Sequence, residues 1–241
     1  MEIRAISLDL DDTLWPIGPV IERIEKSVDA WLRANSPEVA QAWPIESLRA
    51  LRDQVAAEHP ELSHDFGAQR RLTLRRAFAP FKLGEDWVDR TYEVYVRVRN
   101  QIECYADTEV ALARMAARFP LISISNGTAE LERIGLHGHF QFSILAGDVG
   151  VAKPDPGIFR HACARLGIDP GNVLHVGDDP LADVVGARDA GMRTVWLNRQ
   201  GAIWNHETRP DLEMTDLGAL AAWLDQYADS IPGLTIHESL R

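Results

Sequence analysis

Cysteine is almost missing from this 241-residue chain, with Cys104 and Cys163 standing alone. Two isolated thiols exclude a disulfide framework and a thiolate zinc site, and the expectation is a pair of reduced, partly buried side chains. Long apolar runs are missing too, since none approaches the roughly 18 residues of a membrane-spanning helix. The start of the chain also lacks a basic region leading into an apolar core and a cleavage site. These absences make a cytoplasmic protein with no membrane partner the expectation. Positive charge is the third shortage: 25 Lys and Arg face 36 Asp and Glu, for a net charge of -11. Such a surface repels a phosphate backbone, so no nucleic-acid partner is expected, although a local basic patch can still receive a small anion.

What is present reads as a globular chain, long enough to bury a substantial core as one large domain or as a domain with an insert. Apolar runs at 3–8, 121–124, 142–145, 173–176 and 194–197 read as short strands. Between the later ones, helical patterns at 158–166 and 181–190 each close on a glycine, Gly167 and Gly191. This alternation predicts an α/β fold, a Rossmann-like parallel sheet with helices on both faces. The segment 16–105 breaks the rhythm, with helical patterns at 20–33, 45–58, 66–78 and 85–100 and no convincing strand. It reads as an inserted all-helical domain, leaving 1–15 and 106–241 to the sheet domain. Pro16, Gly18 and Pro19 mark the first joint as a bent, restricted hinge, and the second falls around 103–107. Beyond about Tyr227 the pattern fades, and the last dozen residues are expected to form a loosely held tail.

The strands end in unusual company. The first runs into Asp9-Leu10-Asp11-Asp12-Thr13, where alternation can aim Asp9 and Asp11 at one small volume. Two carboxylates so close repel by roughly 4 kcal/mol at about 4 Å and an effective dielectric near 20, which calls for a cation beside them. The second ends in Ser125-Asn126-Gly127, a loop follows with Lys153-Pro154, and the strand at 173–176 breaks into Gly177-Asp178-Asp179 with Asp183 beyond. Taken singly, these are ordinary turns, caps and solvated charges. Taken together, each follows an apolar run, at the sheet edge where α/β proteins bind ligands.

As a set, Asp9-Leu10-Asp11-Asp12-Thr13, Ser125-Asn126-Gly127, Lys153-Pro154 and Gly177-Asp178-Asp179 with Asp183 resemble the four motifs of the haloacid dehalogenase superfamily. The likeness runs from Ile3 to about Asn198 and includes Gly157-Ile158-Phe159 and Gly186-Ala187. The helical insert and Leu174-His175-Val176-Gly177-Asp178-Asp179 are most similar to bacterial phosphatases acting on FMN and on 5-amino-6-(5-phosphoribitylamino)uracil.

That resemblance implies a small phosphorylated metabolite as partner, a monomer or homodimer, and Mg2+ as cofactor. Mg2+ suits hard oxygen donors. The implied ligands are the Asp9 and Asp178 carboxylates and the Asp11 carbonyl, with Asp179 open between ligand and support. Asp9 is expected to attack phosphorus and form an aspartyl-phosphate, while Asp11 protonates the leaving alcohol and then takes a proton from water. Ser125, the Asn126 amide and Lys153 are expected to hold the phosphoryl oxygens. Thr13 would fix the loop after Asp11, and Asp183 would orient Lys153 or the metal loop. Dehalogenases similar to this family lack an aspartate at the Asp11 position, which favours a phosphatase. A phosphomutase, a 2-haloacid dehalogenase and a non-catalytic regulatory module stay open as alternatives.

The helical insert is expected to act as a cap over the leaving group. In or beside it stand Trp15, Trp31, Trp43, Trp87, Tyr92 and Tyr95, with Trp15 the first candidate for stacking on substrate because it directly follows the catalytic loop. Arg70, Arg71, Arg75 and Arg76, near His64 and Asp65, read first as a solvated helix surface and second as a substrate contact.

Overall fold

Six short strands carry the sheet: β1 (Ala5–Leu8), β2 (Leu121–Ser125), β3 (Phe142–Leu145), β4 (Val173–Gly177), β5 (Arg193–Leu197) and β6 (Leu212–Met214). All pairings are parallel, in the order β3-β2-β1-β4-β5-β6. The computed structural model describes residues 2–229. Residues 230–241, where the sequence predicts a loosely held tail, lie outside that range. β1, β2 and β4 are buried along their whole lengths, as strands covered on both faces must be, and this is why they read as mainly apolar runs, with Ser7, Ser123 and His175 the polar residues inside them. Ile122, Ile124 and Val173 pack with Ile158, Phe159 and Ala187 in one core.

The chain divides into two compact units. Of the described residues, the first comprises 2–16, 103–125 and 135–229 and contains the sheet. The second comprises Ile17–Ile102 and Asn126–Ile134, and so takes in a short stretch that the sequence reading ran on with the sheet. Its helices are α1 (Ile17–Asn35), α2 (Pro37–Ala42), α3 (Ile45–Glu58), α4 (Phe66–Phe78), α5 (Glu85–Arg99) and, after β2, a short turn of helix (Leu131–Ile134). Gly18 and Pro19 fall in the first turn of α1 rather than in a hinge, a position where proline's missing N–H has no partner to lose.

Of the two helical patterns foreseen between late strands, Pro156–Leu166 forms with a left-handed Gly167 closing it. The other is not one α-helix. Pro180–Val185 is wound as a π-helix and only Gly186–Asp189 continues as α. Gly186 explains the close approach, because a Cβ there would lie 2.6 Å from the Pro154 carbonyl oxygen. The sheet's last strand, β6, is three half-exposed or exposed residues with no apolar run to announce it. Among the described residues no helix is long and apolar enough to cross a membrane.

Candidate active site

Parallel register sets the stage. Leu8 is level with Ser123 of β2 and Val176 of β4, so one residue further Asp9 leaves the sheet beside Ile124 and Gly177, with Ser125 and Asp178 next in line. The Asp9 amide still donates to the Val176 carbonyl at 2.8 Å, which fixes where its side chain starts. Asp9, Asp178 and Asp183 each bring a carboxylate oxygen to within 4.8 Å of the others. Ser125, at the end of β2, is 1% exposed.

Lys153 is the cation of this site. Its Nζ lies 2.5 Å from Asp9 Oδ1 and 2.5 Å from Asp183 Oδ1, with all three residues buried. Burial works against the ammonium, but Asp183 and Asp9 outweigh it and hold the Lys153 pKa above its ordinary value. Asp9 is pushed well above the usual carboxylate range by burial, against the pull of Lys153.

Asp183 has two tasks. Oδ1 holds Lys153, and Oδ2 accepts the Asp179 amide at 3.0 Å, tying the loop after β4 to the lysine. Gly177 makes room for this, since a Cβ on it would fall 2.2 Å from Asp183 Cγ. Gly177→Ala is therefore expected to displace Asp183, costing about 1–3 kcal/mol by overpacking. Urea denaturation checks this, and a wild-type midpoint would contradict it.

The loop after β1 is held by four contacts. Asp12 takes a left-handed φ of 57° and its amide donates to the Trp15 carbonyl at 2.7 Å, turning the chain back on itself. Trp15 Nε1 then donates to Asp11 Oδ1 at 2.8 Å. Trp15 is fully buried, which corrects the expectation of a substrate-stacking ring: its indole orients Asp11 instead. Arg199, paired with Asp107 at 3.0 Å and lying 4.0 Å over the Tyr105 ring, donates to the Thr13 carbonyl at 3.0 Å. The Thr13 hydroxyl donates to Asp178 Oδ1 at 3.2 Å, so Thr13 orients a carboxylate as well as the loop.

In the sequence His175 carries no role of its own and reads as a strand position within the run that leads to Asp178. It is buried between β1 and the π-helix, with Nδ1 2.8 Å from Ser7 Oγ and Nε2 3.2 Å from Asp183 Oδ1. Burial lowers its pKa, which favours the neutral ring. An ionised Asp183 only accepts, so Nε2 carries the proton and Nδ1 accepts from Ser7. The residues form a buried chain, Ser7–His175–Asp183–Lys153–Asp9.

Asp179 is exposed, and its Oδ1 accepts the Leu181 and Ala182 amides at 2.8 and 2.7 Å as an N-cap. That leaves the Asp9 and Asp178 carboxylates as the side chains suited to a metal. The donor set passes a charge test: three carboxylates gather where one ammonium pairs with two of them, Asp9 and Asp183, and hard oxygen donors in surplus fit Mg2+. Asp178 shows the strain, being pushed up from 3.8 to about 7 by burial, then by Asp183 and Asp12. A carboxyl raised in this way binds its proton more tightly folded than unfolded. Its contribution to stability is full below about pH 4 and is lost as pH rises through about 7. A metal cation held by Asp178 would compete with that proton, so its affinity is expected to increase through about pH 7, with proton release on binding below it. Calorimetry in buffers of different ionisation enthalpy reads this directly, and buffer-independent heats would contradict it.

Asn126 follows Ser125 in the chain but belongs to the second unit. Of the side chains named for that unit, Trp31, Trp43, Trp87 and Tyr92 pack against its apolar core and Tyr95 is part of it. Asp65 caps α4 by accepting the Ala68 amide at 2.8 Å.

Comparison with known proteins finds the family described as haloacid dehalogenase-like hydrolase over residues 3–191. The chain is 30% identical over 228 residues to the 5-amino-6-(5-phospho-D-ribitylamino)uracil phosphatase YigB of Escherichia coli, covering 91% of this chain and 95% of that protein. It is 38% identical over 240 residues to the phosphoserine phosphatase of Thermus thermophilus, covering 89% and 96%. Among solved structures, a 2-haloacid dehalogenase from Pseudomonas syringae superposes with a TM-score of 0.87 at 35% identity, covering 94% of this chain and 100% of the other.

Proposed function

This chain belongs to the haloacid dehalogenase-like hydrolase family, and from that footing we propose that it is a magnesium-dependent phosphomonoesterase working through an aspartyl-phosphate on Asp9. The observation that carries the reading is the surplus of acid: buried Asp9 and Asp183 and half-buried Asp178 beside Lys153, the one ammonium paired there among the described residues, with Asp11 two residues from Asp9 and oriented by Trp15.

Asp9 attacks phosphorus, and Lys153, held by Asp183, offsets charge on the attacking carboxylate and the phosphoryl oxygens. Ser125 and the Asn126 amide bind those oxygens. Asp11 gives its proton to the leaving alkoxide and recovers one from the water that cleaves the acyl phosphate. Mg2+, held by the Asp9 and Asp178 carboxylates and the Asp11 carbonyl, would supply further positive charge to the phosphate. The helical unit serves as the cap that excludes water and selects the leaving group.

The likeness to a 2-haloacid dehalogenase structure supports a second reading. Halide leaves as a stable anion and needs no acid, so in that chemistry Asp11 and the acidic surplus would have no task. The phosphatase reading uses both.

The substrate class is a small phosphorylated metabolite, with a riboflavin-pathway phosphate first in line because of the uracil-phosphatase relative. The test is a panel containing FMN, the ribitylaminouracil phosphate, phosphoserine and simple sugar phosphates, assayed with and without chelator. Phosphate release that stops on chelation is expected. Weak discrimination between FMN and sugar phosphates would count against a riboflavin-pathway substrate.

A further inference from the structure

The helical unit contains a cavity that this chemistry leaves unused. It lies among α1, α3, α4 and α5, has a volume of about 50 Å³, and is walled partly by Ile24, Val28 and Leu74. At about 10–15 Å³ per water-sized group, it holds several such groups. Three arginines line it. Two of them carry their own carboxylates: Arg49 grips both oxygens of Glu25 at 3.1 and 2.6 Å, and Arg52 pairs with Asp53 at 2.9 Å.

Arg70 is different. Among the described residues it forms no ion pair: its guanidinium lies 4.3 Å from the Tyr95 ring centroid and interacts with the Tyr95 side chain, the Glu25 carboxylate that also lines the cavity attracts it but is gripped by Arg49, and its buried Nε lacks a hydrogen-bond partner. Its neighbours on α4 are all paired on the surface, Arg71 with Asp89, Arg75 with Glu85 at 2.7 Å and Arg76 with Glu58 at 2.5 Å. In a chain of net charge -11, a cation that forms no ion pair and keeps a buried donor unmet is a departure that calls for an anion.

We infer that this cavity binds the carboxylate of a small organic acid with a short aliphatic body. One arginine without an ion pair matches a monoanion, whereas a phosphate dianion would leave charge over. Arg70 lines the cavity, a guanidinium donates charge-assisted hydrogen bonds that suit a carboxylate, and the apolar wall suits a hydrocarbon body. The carboxylate comes from the hydrolysed ester itself or from a separate acid. The Tyr95 hydroxyl is 2.7 Å from Thr128 Oγ1, so a ligand on Arg70 is tied through Tyr95 to the turn that follows Ser125 in the chain.

The test uses the whole wild-type protein. The Nε–H NMR resonance of Arg70, identified by its loss in Arg70→Lys or Arg70→Gln, should move on titration with isobutyrate, with a Kd in the millimolar range. It should not move with isobutyramide, the neutral isostere. A second arm separates the sources by comparing kcat/KM for 3-phosphoglycerate and glycerol 3-phosphate. If the ester brings the carboxylate, their ratio falls about tenfold or more in Arg70→Lys. A ratio that holds while isobutyrate still moves Arg70 assigns the cavity to a separate acid. No movement with isobutyrate, or equal movement with isobutyramide, overturns the inference. Only the kinetic arm rests on the phosphomonoesterase reading, so an absence of hydrolysis would count against that reading and leave the binding result standing.

Discussion

Lys153→Met is expected to destabilise the protein by about 3–5 kcal/mol at neutral pH and to abolish turnover. The side chain is 3% exposed and its Nζ joins Asp9 to Asp183 at 2.5 Å each, so its removal strands two buried carboxylates. Methionine fills similar volume, which keeps packing loss small and isolates the charge. Burial works against the ionised Asp183, but Lys153, followed by His175, holds its pKa down to about 2. A depressed carboxyl stabilises the fold above its unfolded value of 3.8, and the contribution is lost as pH falls through about 2. Without Lys153, Asp183 and Asp9 take up protons on acidification. The variant's deficit should therefore shrink between about pH 7 and about pH 4. Urea denaturation at both ends reads it, and an equal deficit at both would assign the loss to packing alone.

Asp11→Asn is expected to slow hydrolysis of an alkyl phosphate by about 100- to 10,000-fold with the fold intact. The amide keeps the shape and can still accept from Trp15 Nε1, which donates to Asp11 Oδ1 at 2.8 Å. What it loses is the proton. An alkoxide is a poor leaving group without an acid, and water is a poor nucleophile without a base, so both halves of the reaction suffer. An aryl phosphate, whose leaving group needs no proton, should lose less in its first step than in its second. Unimpaired alkyl phosphate turnover would remove Asp11 from the mechanism.

The inner strands were legible because burial on both faces writes itself as apolar runs that break at the sheet edge, which also made Asp9, Ser125 and Asp178 stand out. β6 was not, since an edge strand of Leu212, Glu213 and Met214 carries no such run. The π-helix was hidden for another reason. The pattern from Leu181 to Ala190 is amphipathic at helical spacing, and nothing in it announces the wider turn seen at Pro180–Val185. Within the site, the residues that act on other residues were the hard ones. His175 looks like one more strand position, and Arg199 lies beyond the last motif, yet they meet Asp183 and the Thr13 carbonyl through pairings that only folding creates. The four arginines of α4 are alike in sequence and sort into three surface pairs and Arg70 only when their partners are in place.

Turnover by this route requires a covalent bond between phosphorus and one carboxylate. The most direct measurement is mass analysis of Asp11→Asn quenched during reaction with p-nitrophenyl phosphate and Mg2+, conditions under which the first step proceeds and the second stalls. The result predicted is one phosphoryl group on the peptide containing Asp9, absent when chelator is added. Turnover by the wild-type enzyme with no phosphoryl adduct on Asp9 in the variant, or an adduct on another residue, would contradict it.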